Sequence, residues 1–172
     1  MLNELLQTGV MTGLLNAGVR LSAPFLLAST GEMYSQRSGV LNLGVEGIMM
    51  VGAFVSFFIT FKTGNLLLAL TGAVITGLIF GLIMSFASIT MKGDQEINGI
   101  GIYILGMGLS GLFFRLTMGS IAQTKGFSPF PLPLLSKIPF IGEILFNQNC
   151  MVYFALLLVP ISWFILFKTT WG

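Results

Sequence analysis

The sequence predicts an all-α, polytopic transmembrane helical bundle of about five spans, with a broken polar segment between the first two. Two observations carry this. Of 172 residues, 55% are hydrophobic and only 8% are charged, against about 25% charged in a soluble domain. Eight Lys and Arg with six Asp and Glu do not make a water-facing surface for a chain of this length. The apolar residues also fall in runs that can cross a bilayer, which takes about 20 helical residues at about 1.5 Å each.

The spans are taken in order. Residues 9–30 form the least apolar run, because Asn16, Arg20 and Pro24 interrupt it. Residues 43–61 follow, with Glu46 inside. Residues 66–91 contain no charge at all, and 97–114 carry glycine at 99, 101, 106, 108 and 111. Residues 151–167 are apolar except for Ser162, with Pro160 placed to kink the helix. Tight polar turns are expected at 62–65 and 92–96. The connection 118–149 holds four of the six prolines, and its apolar clusters at 140–146 suggest a short helix lying at the interface. Glu4 is the first charge, and no basic segment precedes an apolar one. Insertion is therefore expected to use the spans themselves and not a cleaved signal.

Several function classes are excluded. A net charge of +2, scattered along the chain, gives no nucleic-acid footprint. Cys150 stands alone, so no disulfide framework exists, and at the start of a span it is expected to pack. The absence of His removes the commonest general base and metal ligand. No metal site is expected, and no nucleophile–base pairing supports an intramembrane enzyme. The G-x-x-x-x-G-K-[ST] pattern is missing, so ATP hydrolysis would belong to another chain. Gly106, Gly108 and Gly111 spell G-x-G-x-x-G, but inside an apolar span, where helix packing is the expected use. The G-x-x-x-G pairs Gly77–Gly81 and Gly9–Gly13 are read the same way. Asp94 and Glu96 are two residues apart, which does not set them side by side on a helix, so a solvated turn is expected there.

The informative stretch is 32–47, where polar side chains and glycines alternate with aliphatics among apolar surroundings. Non-helical backbone at membrane depth persists only where protein or a hydrated cavity satisfies its polar groups. Arg37 and Glu46 would each cost about 2.5–3.5 kcal/mol at the bilayer centre. One reading is an ordinary turn in the headgroup region, with Glu46 snorkelling back to it. The other shelters the segment inside a bundle, with Glu32, Arg37 and Glu46 as an ion-paired set that steadies it.

Residues 36–54, QRSGVLNLGVEGIMMVGAF, resemble the signature ERSGVxNxGxEGxMxxGAF. That signature belongs to permeases of the branched-chain amino acid, ribose and nucleoside class of ABC importers, and the simple-sugar/nucleoside subgroup is the nearest. APFLLASTGEMYSQRSG at 23–39 resembles the helix before it. MKGDQEINGIGIYILGMGLSGLFFR at 91–115 resembles the subgroup's GDxxxSGLALNxLxLGLT segment. Residues 138–172 resemble the stretch leading into the cytoplasmic coupling region. Gln36 stands where the subgroup usually has Glu, Asn98 replaces a Ser and Tyr103 an Asn, departures that bear on substrate contacts more than on fold.

The resemblance implies a multi-pass permease subunit in the plasma (inner) membrane of a bacterium, translocating a nucleoside or simple sugar without covalent chemistry. It would bind no cofactor itself, because partner ATP-binding subunits use the ATP. A second permease subunit, an external substrate-binding lipoprotein and membrane lipid are the other implied partners. The substrate pathway would involve Arg37, Ser38, Gly39, Asn42, Gly44, Glu46 and Gly47, with Asn98 and Tyr103 on the fourth span. Glycines would permit bends, Asn42 would offer donors and acceptors, and Glu46 needs a hydrated or paired setting. Charge leaves orientation open at three basic residues against four. The resemblance puts Arg37 and Lys92 toward the cytoplasm and the 118–149 loop outside. Class members are longer, so the chain is expected to be the N-terminal part, lacking the coupling loop and later spans and not working as a pump alone. The alternative reading is a membrane scaffold or assembly protein without transport.

Overall fold

The structure, a computed structural model, describes residues 8–118, 124, 126–131 and 144–169. Helix α1 runs Thr8–Arg37, α2 Val45–Thr63, α3 Leu66–Ser85, α4 Gln95–Met118 and α5 Cys150–Lys168. All five are long and apolar enough to cross a membrane. One π-helical turn, Phe86–Thr90, extends α3. Two three-residue strands, β1 (Pro129–Pro131) and β2 (Asn147–Asn149), pair antiparallel. The interfacial helix expected at 140–146 lies largely outside the described residues.

Helix ends differ from the apolar runs by a few residues, with α4 and α5 longer at both ends and α2 shifted two residues along. The largest difference is at α1, which continues through Glu32–Arg37, so that with Val45–Gly47 of α2 nine of the sixteen residues 32–47 are helical. A polar residue breaks a hydropathy run without breaking a helix. Glu, Gln and Arg are good helix formers, and Gln36 Nε2 donates to Glu32 Oε1 one turn back at 3.2 Å. Only 38–44 leaves helical form.

Many hydroxyls inside the helices are satisfied locally. Those of Ser22, Ser29, Thr30, Ser56, Thr60, Thr71 and Thr76 each donate to a carbonyl three or four residues back in their own helix. Such return bonds let Ser and Thr sit in lipid without a partner helix. Large apolar side chains face outward, Leu67 being 71% and Leu116 72% exposed. Such faces are stable only against lipid or further apolar helices.

The chain divides into two units, Met1–Gly31 with Phe127–Gly172, and Glu32–Gly126. In the first, Ala23 of α1 packs on Val152 and Ala155 of α5, flanked by Val19, Leu26 and Leu27. The Tyr153 hydroxyl accepts from the Gln148 N–H at 3.1 Å and donates to the Phe130 carbonyl at 3.3 Å, tying the strand pair to α5. Gln148 is fully buried, and its Nε2 donates to the carbonyls of Asn16 and Ile144.

In the second unit Val51, Phe80, Met84 and Ile102 form a core joining α2, α3 and α4. At one end of the α2–α4 pair the backbones touch. A Cβ on Gly47 would lie 2.6 Å from Tyr103 Cα, one on Gly44 2.9 Å from the Gly99 carbonyl oxygen, and one on Gly99 2.8 Å from the Leu43 nitrogen. A Cβ on Gly106 would strike the Gly47 peptide. Farther along the same pair, Ser110 donates to the Met50 carbonyl at 3.2 Å. Beyond that, rings set the spacing, Phe54 on Phe113 at 5.9 Å and Phe57 on Phe114 at 6.2 Å. The glycines in contact across the α2–α4 pair are 44, 47, 99 and 106. Of the expected G-x-x-x-G pairs, Gly13, Gly77 and Gly81 are not, with nothing within 4 Å. Spacing reveals that a helix has a small face, not which face meets a neighbour.

Gly106→Val is expected to destabilise the protein by at least the usual overpacking cost of about 1–3 kcal/mol, because the obstacle is backbone. Gly108→Ala, with open space at its Cβ, is expected to be neutral or stabilising by up to about 1 kcal/mol. Unfolding in mixed detergent micelles checks both.

Candidate functional site

The segment 38–44 crosses from α1 to α2 without a ladder partner, so its amides need other acceptors. Gly39 ends α1 at φ +87°, a left-handed turn that costs a side-chain-bearing residue about 1–2 kcal/mol. Its N–H donates to the Gln36 carbonyl at 3.0 Å, and that of Val40 to the Ser35 carbonyl at 3.1 Å, the bond pair of a Schellman terminus. Ser38 N–H reaches the Tyr34 and Ser35 carbonyls, and its hydroxyl donates to Ser35 at 2.7 Å.

Past this cap the acceptors are side chains. Leu41 N–H donates to Gln95 Oε1 at 2.8 Å. Asn42 N–H donates to Glu32 Oε1 at 3.0 Å. Gly44 N–H donates to Asn42 Oδ1 at 2.9 Å. In the other direction Gln95 Nε2 reaches the Gly39 carbonyl at 3.3 Å, and the Ser35 hydroxyl reaches the Val40 carbonyl at 2.9 Å. Three elements thus satisfy one irregular stretch: the last turn of α1, the first residue of α4 and the stretch itself.

Gly44 then starts α2 at φ −85°, where any residue fits, and Gly47 is helical. Both are glycine for close approach to α4, not for bending. Of the three pathway glycines only Gly39 occupies a conformation that favours glycine. Glu46 is exposed in the first turn of α2 and Arg37 exposed in the last turn of α1. Each sits where the helix dipole favours its charge.

The remaining expected residues lie on α4. Tyr103 lends its backbone to the Gly47 contact. Asn98 turns toward α3, its Nδ2 donating to Ser88 Oγ at 3.3 Å, while Ser88 bonds Met84 Sδ at 3.7 Å. The π turn thus carries the Ser88 hydroxyl that meets α4. Asp94 caps α4, its Oδ1 accepting from the Glu96 and Ile97 N–H groups, while Glu96 is exposed. Cys150 is exposed at the first turn of α5.

The structure thus gathers Gly39, Asn42, Gly44, Gly47 and Tyr103 around one crossing, with Asn98 on the neighbouring contact. Gln95 and Gly99 belong to the same crossing and were not anticipated, while Gly106, expected to serve helix packing, does so here and Gly108 and Gly111 have nothing within 4 Å. Glu32, expected in an ion-paired set, offers its Oε1 to two neutral donors, Gln36 and Asn42. Among the described residues nothing accepts from Asn42 Nδ2, and no group of three or more His, Cys, Asp or Glu is placed to hold a metal.

Comparison with known proteins is decisive. The family profile described as the branched-chain amino acid transport system / permease component matches residues 14–172. The chain belongs to that permease family. A protein of Haloferax volcanii, provisionally named a glucose ABC transporter permease, is 38% identical over 93% of this chain and 49% of its own length. The guanosine ABC transporter permease of Bacillus subtilis is 37% identical over 88% of this chain and 50% of its own. The nucleoside ABC transporter permease of Lactococcus lactis is 32% identical over the same shares. The permease chain spans about half the length of the curated relatives it matches. No solved structure matches it. With five helices among the described residues long and apolar enough to cross a membrane, it is an integral membrane protein.

Asn42→Leu removes the Gly44 acceptor and is expected to destabilise the permease by about 1 kcal/mol, whereas Asn42→Asp keeps it. Denaturant titration in detergent, with both variants side by side, checks this.

Proposed function

We propose that the chain supplies membrane-spanning helices of an ABC importer for a nucleoside or a simple sugar, in the plasma membrane of a bacterium. The observation that carries the reading is the family match over 14–172 together with the side-chain-satisfied crossover at its signature. The printed cargoes of the relatives are glucose, guanosine and nucleosides. All are rich in hydroxyls, which suits an amide donor such as Asn42 Nδ2 beside a pathway. A scaffold without transport gains nothing from these relatives, each named a transporter permease.

In this reading the chain performs no covalent step. ATP-binding subunits, a second permease subunit and an external substrate-binding lipoprotein complete the system. Arg37 and Lys92 lie toward the cytoplasm, and the 118–149 connection lies outside. Arg37, Ser38, Gly39, Asn42, Gly44, Glu46 and Gly47, with Asn98 and Tyr103, form or support the path. The glycine contact holds α2 and α4 in register. Glu46 gives the hydrated end of the path a fixed charge.

In proteoliposomes holding the complete importer, Asn42→Leu with Glu46→Leu is expected to cut nucleoside or pentose uptake at least about tenfold, or 1.4 kcal/mol, at unchanged permease content. Full uptake by the double variant would end the path-lining role.

A further inference from the structure

Two residues outside the signature hold the crossover in place, and Glu32 also accepts from Gln36 within its own helix. Gln95 opens α4, whose cap is already provided by Asp94, yet its amide spans to another helix connection and engages both Leu41 and Gly39. Glu32 sits inside α1, and its Oε1 reaches across ten residues to the Asn42 amide. The two side chains grip consecutive peptides, 41 and 42, from opposite sides in sequence.

Removing either grip leaves the N–H of a half-buried peptide without its acceptor, so the peptide must turn to find another. Because Asn42 Oδ1 also starts α2 through Gly44, rotation at 42 carries over to the first turn of α2. There the backbone is in contact with α4 through Gly44, Gly47 and Gly99, leaving no slack to absorb it. The last turn of α1, the crossover, the start of α2 and the start of α4 therefore behave as one body.

We propose that Glu32 and Gln95 are the positioning residues of the transport path, acting through the Asn42 and Leu41 peptides to hold the crossover in its conducting geometry. This rests on the permease reading, and it adds residues that lie outside the signature and touch no cargo. Neutral Gln95 serves because it gives and accepts at once, whereas Glu32 need only accept.

The test uses the complete importer in proteoliposomes, with radiolabelled guanosine and ribose as probes, and the same permease in nanodiscs for amide hydrogen exchange. Gln95→Leu is expected to speed exchange at Leu41, and Glu32→Leu at Asn42, each at least about fivefold. Both are expected to lower maximal uptake by a similar factor while half-saturation by loaded binding protein stays unchanged. Glu32→Gln keeps the acceptor and is expected to recover most of the uptake. Gln95→Glu, a milder change should the leucine variant fail to fold, keeps the Leu41 bond and loses the one to Gly39. It is expected to fall between wild type and Gln95→Leu. Thr71→Val, altering only a bond within α3, serves as the control.

Faster exchange with unaltered uptake would overturn the positioning role, and unaltered exchange would overturn the clamp itself. Uptake of neither probe by the wild type would refute the permease reading and the positioning role with it, while exchange still decides the clamp.

Discussion

A backbone N–H that leaves regular helix needs an acceptor of its own, and that constraint shapes the crossover at 38–44 more than any other. Helices meet it automatically, since each residue bonds along its own axis. The segment 38–44 does not, and the surrounding residues are arranged around that failure. Helix α1 ends in a glycine cap that satisfies two amides at once. Glu32, Asn42 and Gln95 then supply acceptors one peptide at a time. The result is an irregular connection that stays ordered without a ladder.

The second constraint is weaker attraction. Between helices in lipid there is no hydrophobic drive, and close packing must hold them together. Gly44, Gly47, Gly99 and Gly106 let α2 and α4 meet at backbone distance beside the crossover, while phenylalanine rings separate them farther along. Tight contact therefore coincides with the irregular segment. Side chains such as Gln95 reach across there because the helices are near enough for an amide of that length.

Much of this was legible beforehand. Runs of apolar residues with few charges located the spans, because bilayer thickness sets a length that sequence must match. The motif at 36–54 marked the crossover. Residues 32–37 were misjudged as broken, since hydropathy registers Glu32 and Gln36 as polar while the helix accommodates them one turn apart. The roles of Gly44 and Gly47 were likewise misassigned to bending, because a glycine needed for positive φ and one needed for contact look alike in a string of letters. Gln95 gave no signal, as one glutamine after an acidic cap is unremarkable until its distant partner is known.

Composition and the lengths of the apolar runs by themselves determined that the chain belongs in a membrane and that its described residues hold five helices long enough to cross one. Those are local properties, fixed by the transfer cost of each residue and the rise of a helix. Tertiary structure alone decided which glycines touch, which side chains accept the crossover amides, and that Asn98 faces Ser88. Each of those depends on the rotation of one helix about its axis relative to another, and no pattern within a single helix encodes that angle.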